Sequence, residues 1–363
     1  MTPDILFEVR NQIGFITLNR PQALNTLTYD MVRLLTTQLR SWATDPSVQG
    51  VVVRGAGDRA FCAGGDVRAI YASHHSEENS NEPFFAEEYQ LDYFIHRYPK
   101  PYIALMDGIV MGGGMGIAQG ARLRIVTERT RLAMPETAIG LFLDVGASWF
   151  LSRLPGQLGV YLGMTGETLR APDCLYCGLA DIYLAPIDLA ELDATLAAID
   201  WTTVRNRDLA AIVSGSGKIQ LADPPLQKLR LAIDQHFAWP SVRAIVQSLQ
   251  KEQRVEYAEW AQRILTVLAK RSPRMLGVTL RQINHARSLS LADCFRMELN
   301  LIHQVFRHGE FIEGIRALLV DKDNAPQWTP ASVDRLSDEM VAAFFVPAWE
   351  APKHPLADLE QLA

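Results

Sequence analysis

The sequence predicts an α/β core followed by a mainly helical C-terminal part. Two observations carry that prediction. Up to residue 201, short apolar strand signals alternate with amphipathic helix signals in units of roughly 30 residues, the pattern of parallel strands joined by helices. From Thr202 onward the strand signals stop and helical periodicity takes over. The chain therefore divides into a core at 1–201, a helical region at 202–346 and a proline-bearing, loosely held tail at 347–363.

Phe7–Val9 and Gly14–Leu18 read as two strands joined by a turn at Asn11–Gly14, the second stopped by Asn19-Arg20-Pro21. A helix over Thr28–Thr44 places Met31, Leu34, Leu35 and Leu39 on one face. Val48–Arg54 is an apolar strand, and Arg54–Arg59 is a turn cluster. Ala60–Gly65 leads into a helix at Asp66–Ala72, and Ser73–Pro83 is polar loop. Phe84–Tyr98 is helical and stops at Pro99. Pro101–Met106 is a strand, Asp107–Gly116 a glycine-rich turn, Gly114–Ala121 a helix and Leu123–Thr127 a strand. Further on, Ser241–Leu249, Arg254–Lys270, Pro273–Ala286 and Leu291–Gly309 carry helical patterns, after a polar seam at Ser214–Pro225.

Composition narrows the function. With 363 residues, 48% hydrophobic and 21% charged, the chain has ordinary globular composition and can bury a sizeable core. A net charge of -6 argues against a nucleic-acid partner. No apolar run reaches the ~20 residues that span a bilayer, so no membrane partner is expected. The N-terminus, MTPDILFEVR, has neither a secretory nor an amphipathic leader pattern, which predicts a cytoplasmic protein or a mature form. Cys62, Cys174, Cys177 and Cys294 form no disulfide framework, and the C-x-x-C spacing of Cys174 and Cys177 has no second pair or histidine cluster beside it. No metal site, phosphate-binding loop or nucleophile elbow is present, so neither a metal nor a separate cofactor is expected.

Three segments stand out. Ala63-Gly64-Gly65-Asp66 joins a strand to a helix, with Asp66 placed as an N-cap. Met111-Gly112-Gly113-Gly114-Met115-Gly116 does the same with three consecutive glycines, each costing roughly 0.5–1 kcal/mol in a helix. Close helix–strand packing would require them, and so would backbone N–H groups aimed at a ligand oxygen. One such donor per turn would make an oxyanion hole. The third segment, MPETAIGLFLDVGASWF, is greasy yet holds Glu136 and Asp144. Asp144 reads equally as the N-cap of a helix over Gly146–Leu154 or as a catalytic acid. Two carboxylates sharing an apolar cleft would have raised proton affinity, which suits a base or nucleophile.

The stretches LNRPQALNTL, GDRAFCAGGDVR and MDGIVMGGGMGIAQGARLRIVTERTRLAMPETAIGLFLDVG resemble the crotonase (enoyl-CoA hydratase/isomerase) superfamily. With SLSLADCFRMELNL and HGEFIEGIRALLVDKDNAPQWTP, the chain looks like the branch of 3-hydroxyisobutyryl-CoA hydrolases of valine breakdown. The resemblance implies a crotonase-like ββα spiral core and an acyl-CoA substrate. It assigns the two oxyanion N–H groups to Gly65 and Gly113, with Ala63, Asp66 and Gly112 beside them. It makes Glu136 and Asp144 catalytic and gives Glu88, in Glu87-Glu88-Tyr89, a substrate contact; a plain exposed helix acid is the other reading of Glu88. One of the two hydratase glutamates falls on Gly116, so that pair is broken. The segment Asn19–Asn25 would border the coenzyme A body, and a homo-oligomer, a trimer or hexamer, follows by analogy. Two departures bear on the acyl group: Leu143 stands where the branch has proline, and Gly146-Ala147-Ser148-Trp149 replaces a glycine run, putting Trp149 where it would narrow the acyl pocket. The implied reaction is hydrolysis of a short branched β-hydroxyacyl-CoA. The alternatives are a hydratase- or isomerase-type reaction, or coenzyme A binding without catalysis.

Overall fold

A computed structural model describes residues 2–77, 80–201, 206–214 and 221–361. Parts of the expected Ser73–Pro83 loop and of the Ser214–Pro225 seam lie outside the described residues. The chain opens with an antiparallel hairpin of β1 (Ile5–Arg10) and β2 (Ile13–Leu18). Asn11 and Gln12 close it at φ 49° and 64°, the positive values a two-residue hairpin turn demands. Helix α1 (Tyr29–Thr44) starts at Thr28, whose side chain accepts from the Met31 N–H. Its buried stripe is Met31, Val32, Leu35, Leu39 and Trp42. Leu34, expected on that face, is instead 49% exposed. At 3.6 residues per turn it falls roughly 60° outside the stripe that Val32 and Trp42 complete.

Three units follow, each with the same plan. They comprise β3 (Gly50–Gly55), β4 (Ala60–Cys62), α2 (Val67–His74) and α3 (Asn81–His96); then β5 (Tyr102–Met106), β6 (Ile109–Met111) and α4 (Gly113–Gln119); then β7 (Leu123–Val126), β8 (Arg131–Ala133) and a single helical turn at Glu136–Ile139. In each, the first strand joins a six-stranded sheet of order β1-β2-β3-β5-β7-β9, where β9 is Ile182–Tyr183. The second joins a three-stranded sheet of order β4-β6-β8. All pairings except the opening hairpin are parallel. The predicted Asp107–Gly116 turn thus contains a strand, β6, and β8 likewise has no counterpart among the elements the sequence predicts. At three residues each, these strands are too short to show periodicity.

The small sheet decides where chemistry is placed. Its three strands are parallel, with Cys62 beside Val110 and Met111 beside Ala133. Their carboxyl ends therefore lie together, and so do the turns that leave them: 63–66, 112–113 and 134–136. Clustering of loops at the carboxyl ends of parallel strands is the common origin of sites in α/β folds.

The remaining α-helices among the described residues are α5 (Ala147–Ser152), α6 (Leu158–Thr165), α7 (Ala171–Cys177), α8 (Pro186–Ala197), α9 (Asn206–Val213), α10 (Pro225–His236), α11 (Val242–Gln250), α12 (Val255–Leu268), α13 (Pro273–Ala286), α14 (Leu291–His308), α15 (Glu310–Ile315) and α16 (Asp338–Ala342). The predicted C-terminal helices are found within a residue or two of their bounds, with Ser241, Ser272 and Ser290 as side-chain N-caps. This region folds back onto the core. Phe295 of α14 meets Tyr89 of α3 at a ring separation of 5.7 Å. A Cβ on Gly314 of α15 would collide with the Ile139 carbonyl. Cys174 and Cys177 are buried free thiols on α7.

The expectation of a loose tail at 347–363 is corrected over the described residues, 347–361. Leu356 and Leu359 are buried, and Arg296 of α14 donates to the carbonyls of Leu356 and Ala357 at 3.0 Å each and pairs with Glu360. Two apolar anchors and a cation that binds carbonyls outweigh the proline content. Among the described residues no helix is long and apolar enough to cross a membrane, and no His/Cys/Asp/Glu group could hold a metal.

Candidate active site

The turns at the end of the small sheet open onto a cavity of about 760 Å³. The first turn is pinned by hydrogen bonds from the Leu27 N–H to the Gly64 carbonyl and from the Asp66 N–H to the Leu27 carbonyl, both 2.8 Å. Gly64 sits at φ 110° and Gly112 at φ 49°, and only glycine takes both conformations without strain. The consequence is close approach. A Cβ on Gly64 would lie 3.7 Å from the Gly113 nitrogen, and one on Gly113 would lie 3.4 Å from the Gly65 nitrogen. The Gly65 and Gly113 amides are therefore neighbours across the two turns. Gly113 opens α4, where an N–H has no intrahelical partner. Among the described residues neither amide donates to a protein acceptor. The structure thus brings together both glycines named from the sequence, with Ala63 and Gly112 beside them on the cavity wall.

The acids face these turns. Glu136 is 5% exposed, and its Oε1 lies 3.2 Å from where a Cβ on Gly112 would sit. Asp144 is 4% exposed and accepts from the Tyr89 hydroxyl at 3.2 Å. It does not cap α5: the cap position is Gly146, without a side-chain hydrogen bond. Glu88 is 1% exposed, which overturns the plain exposed-acid reading, and its Oε1 lies 2.5 Å from the position of a Cβ on Gly113. Asp66 borders the cavity, but its carboxylate is engaged by Arg20 at 3.0 Å and caps α2 through the Ala69 N–H at 3.3 Å. Trp149 does not narrow this cavity. It lines a separate one with Tyr176 and Arg153, whose guanidinium stacks 3.1 Å above the indole.

Several further residues pack around these acids and the cavity. Phe311 of α15 and Leu319 complete the apolar wall from the C-terminal region. Asp92 lies four residues after Glu88 on α3, so helical spacing places both on one face. Asp92 is fully buried, neither of its carboxyl oxygens has a hydrogen-bond partner, and its Oδ2 lies 2.5 Å from where a Cβ on Gly116 would sit. Glu298 of α14 is fully buried behind Asp144.

These acids hold protons tightly. Burial, and then the charge of Asp144, raises Glu136 and Glu88 well above the carboxylate range. Burial pushes Asp144 from 3.8 up to about 7, against the opposing hydrogen bond from Tyr89. Burial first, then Glu88, Asp144 and Glu298, raises Asp92. The folded state thus binds the Asp92 proton more tightly than the unfolded chain does, and stability falls as pH rises above the ordinary carboxyl value. Asp92→Asn keeps the shape and removes this titration. Thermal melts from pH 5 to pH 8 should show a steeper fall in Tm for the unaltered protein than for the variant; equal slopes would contradict the reading.

A family model for enoyl-CoA hydratase/isomerase matches residues 13–345. The chain belongs to that family. The two-sheet core is accordingly the crotonase fold, and the family implies acyl-CoA binding. The mitochondrial 3-hydroxyisobutyryl-CoA hydrolase of Gallus gallus is 39% identical over 352 residues, which is 95% of this chain and 89% of that relative. The small ribosomal subunit protein mS47 of Neurospora crassa is 38% identical over 357 residues, covering 92% of this chain and 69% of the relative. The crystal structure of a carnitinyl-CoA dehydratase from Mycobacterium thermoresistibile superposes with a TM-score of 0.87 at 36% identity, over 96% of this chain and 97% of that one. These crotonase-family relatives carry three different names, so likeness fixes the family and the fold rather than the reaction.

Proposed function

We propose that this crotonase-family protein hydrolyses a short, branched β-hydroxyacyl-CoA thioester, of which 3-hydroxyisobutyryl-CoA is the leading case. One observation carries the reading: paired, unengaged amides of Gly65 and Gly113 face buried Glu136 and Asp144 across one cavity. The thioester oxygen lies between the amides, which stabilise it as it becomes an oxyanion. In its ionised form Glu136 attacks the carbonyl carbon or takes a proton from the water that does. Its raised proton affinity strengthens it in either role. On the first route the carbon–sulfur bond breaks as an acyl–Glu136 anhydride forms, and water then cleaves the anhydride to free the acid and restore Glu136; on the second, water adds directly and the carbon–sulfur bond breaks from the tetrahedral adduct. On both, coenzyme A leaves as a thiolate and a proton from water ends on the sulfur. Asp144 and Glu88 hold the β-hydroxyl and manage that proton. Incorporation of oxygen-18 into Glu136 during a single turnover distinguishes attack from base catalysis.

The coenzyme A body extends along Gln22, Ala23 and Leu24 toward Arg59 and Arg68. Both arginines are exposed at the cavity and have no ion pair among the described residues. The greasy wall of Phe84, Leu141 and Phe311 suits a branched acyl group and excludes bulk water. The dehydratase relative favours a second reading, hydration or dehydration of an acyl-CoA. A panel of hydroxyacyl-CoAs and enoyl-CoAs, assayed for free thiol and for loss of enoyl absorbance, separates the two. Thiol release from the hydroxyacyl thioesters is expected. Enoyl hydration without thiol release would overturn the hydrolase reading.

A further inference from the structure

We propose that Glu298 on α14 and Gln282 on α13 are positioning residues that set Asp144 for the reaction. The inference rests on the reading of Asp144 as a working acid. The turn that carries Asp144 is strained: Val145, a β-branched residue, sits at φ 54°, and Gly146 follows at φ 82°. Its flanks are held from the C-terminal region. The Glu298 carboxylate accepts from the Gly146 N–H at 2.7 Å, from the Ser148 N–H at 3.0 Å and from the Ser148 hydroxyl. The Gln282 side-chain amide donates to the Leu143 carbonyl. Residues 143 and 146, on either side of Asp144 and Val145, are thereby fixed to two helices of the C-terminal region.

Glu298 is fully buried and has no cationic partner among the described residues. A buried acid is costly unless it is well bonded; burial pushes Glu298 from 4.5 up to about 8 against the opposing hydrogen bonds, and those bonds all go to the turn after Asp144. It supplies to α5 the cap that Gly146 lacks, from a helix 150 residues away in sequence. Its two oxygens divide between two backbone N–H groups. A glutamine offers only one acceptor oxygen and turns its NH₂ toward the other N–H. Glu298→Gln therefore releases one side of the turn while preserving volume.

The test is a double-mutant cycle in hydrolysis. Glu298→Gln should lower kcat about 10- to 100-fold with KM changed less than about threefold, the split expected when a transition-state contact is misplaced. In an Asp144→Asn background the same change should cost less than about twofold, because the residue it positions is already disabled. Gln282→Met should lower kcat in the same direction with the same loss of effect in that background, and it carries the test should Glu298→Gln fail to fold. A kcat within twofold of the unaltered enzyme, or an undiminished effect beside Asp144→Asn, would overturn the proposal. An unaltered protein that releases no thiol would defeat the hydrolase reading instead. Positioning is then judged from a crystal structure of Glu298→Gln: loss of the Tyr89–Asp144 hydrogen bond supports it, and its retention at 3.2 Å overturns it.

Discussion

Glu136→Gln should lower kcat for thioester hydrolysis by about 10³- to 10⁴-fold while leaving the fold intact, the upper range for removal of a positioned acid–base group. The substitution keeps the volume of a side chain that is 5% exposed and takes away its ability to attack or to accept a proton. Stability should not fall. Glu136 holds its proton more tightly when folded, because burial and the nearby Asp144 disfavour its charge. A neutral amide removes that conflict, so Tm above neutral pH should be unchanged or higher. Single-turnover rates and melts on the same preparation check both halves. A variant with more than a tenth of normal kcat would remove Glu136 from the chemistry.

Gly113→Ala should cost about 10²- to 10³-fold in kcat/KM, comparable to removal of an oxyanion donor. Its backbone is ordinary α-helix, so alanine introduces no conformational strain there. The methyl would instead enter the space between the two walls, 2.5 Å from Glu88 Oε1 and 3.4 Å from the Gly65 nitrogen. Gly65→Ala provides the contrast. Its Cβ would meet the Phe84 ring at 3.5 Å, an ordinary contact, and the loss should be clearly smaller. Steady-state kinetics on the two variants give the ratio. Equal losses would argue that the methyl acts by general disturbance rather than by filling the hole.

Much of this was legible in the residues. Alternating strand and helix signals indicated parallel strands, and clustered glycines at Gly64–Gly65 and Gly112–Gly114 marked where backbone must approach backbone. Glu136 and Asp144 stood out because acids are rare in so apolar a stretch. What the sequence concealed is long-range. Three-residue strands have no period to read, so the small sheet that gathers the turns was invisible as a sheet. Leu319, Phe311 and Glu298 reach the site only because the C-terminal helices fold back over it, and nothing local marks Glu298 among the acids of α14. Asp92 shares the face of Glu88, but burial of a second carboxyl one helical turn away runs against the usual cost, so its spacing alone does not mark it. The resemblance places Trp149 at the acyl pocket, whereas on α5 it lines the separate cavity with Tyr176 and Arg153.

In the proposed function the two glycine amides grip a thioester whose β-hydroxyl meets the acids. A crystal structure of Glu136→Gln with bound 3-hydroxyisobutyryl-CoA tests it most directly. The thioester oxygen should lie about 2.7–3.1 Å from both the Gly65 and Gly113 nitrogens, with the hydroxyl on Asp144 or Glu88. A thioester oxygen pointing away from those amides, or an acyl chain seated outside the cavity of Phe84, Leu141 and Phe311, would contradict the account.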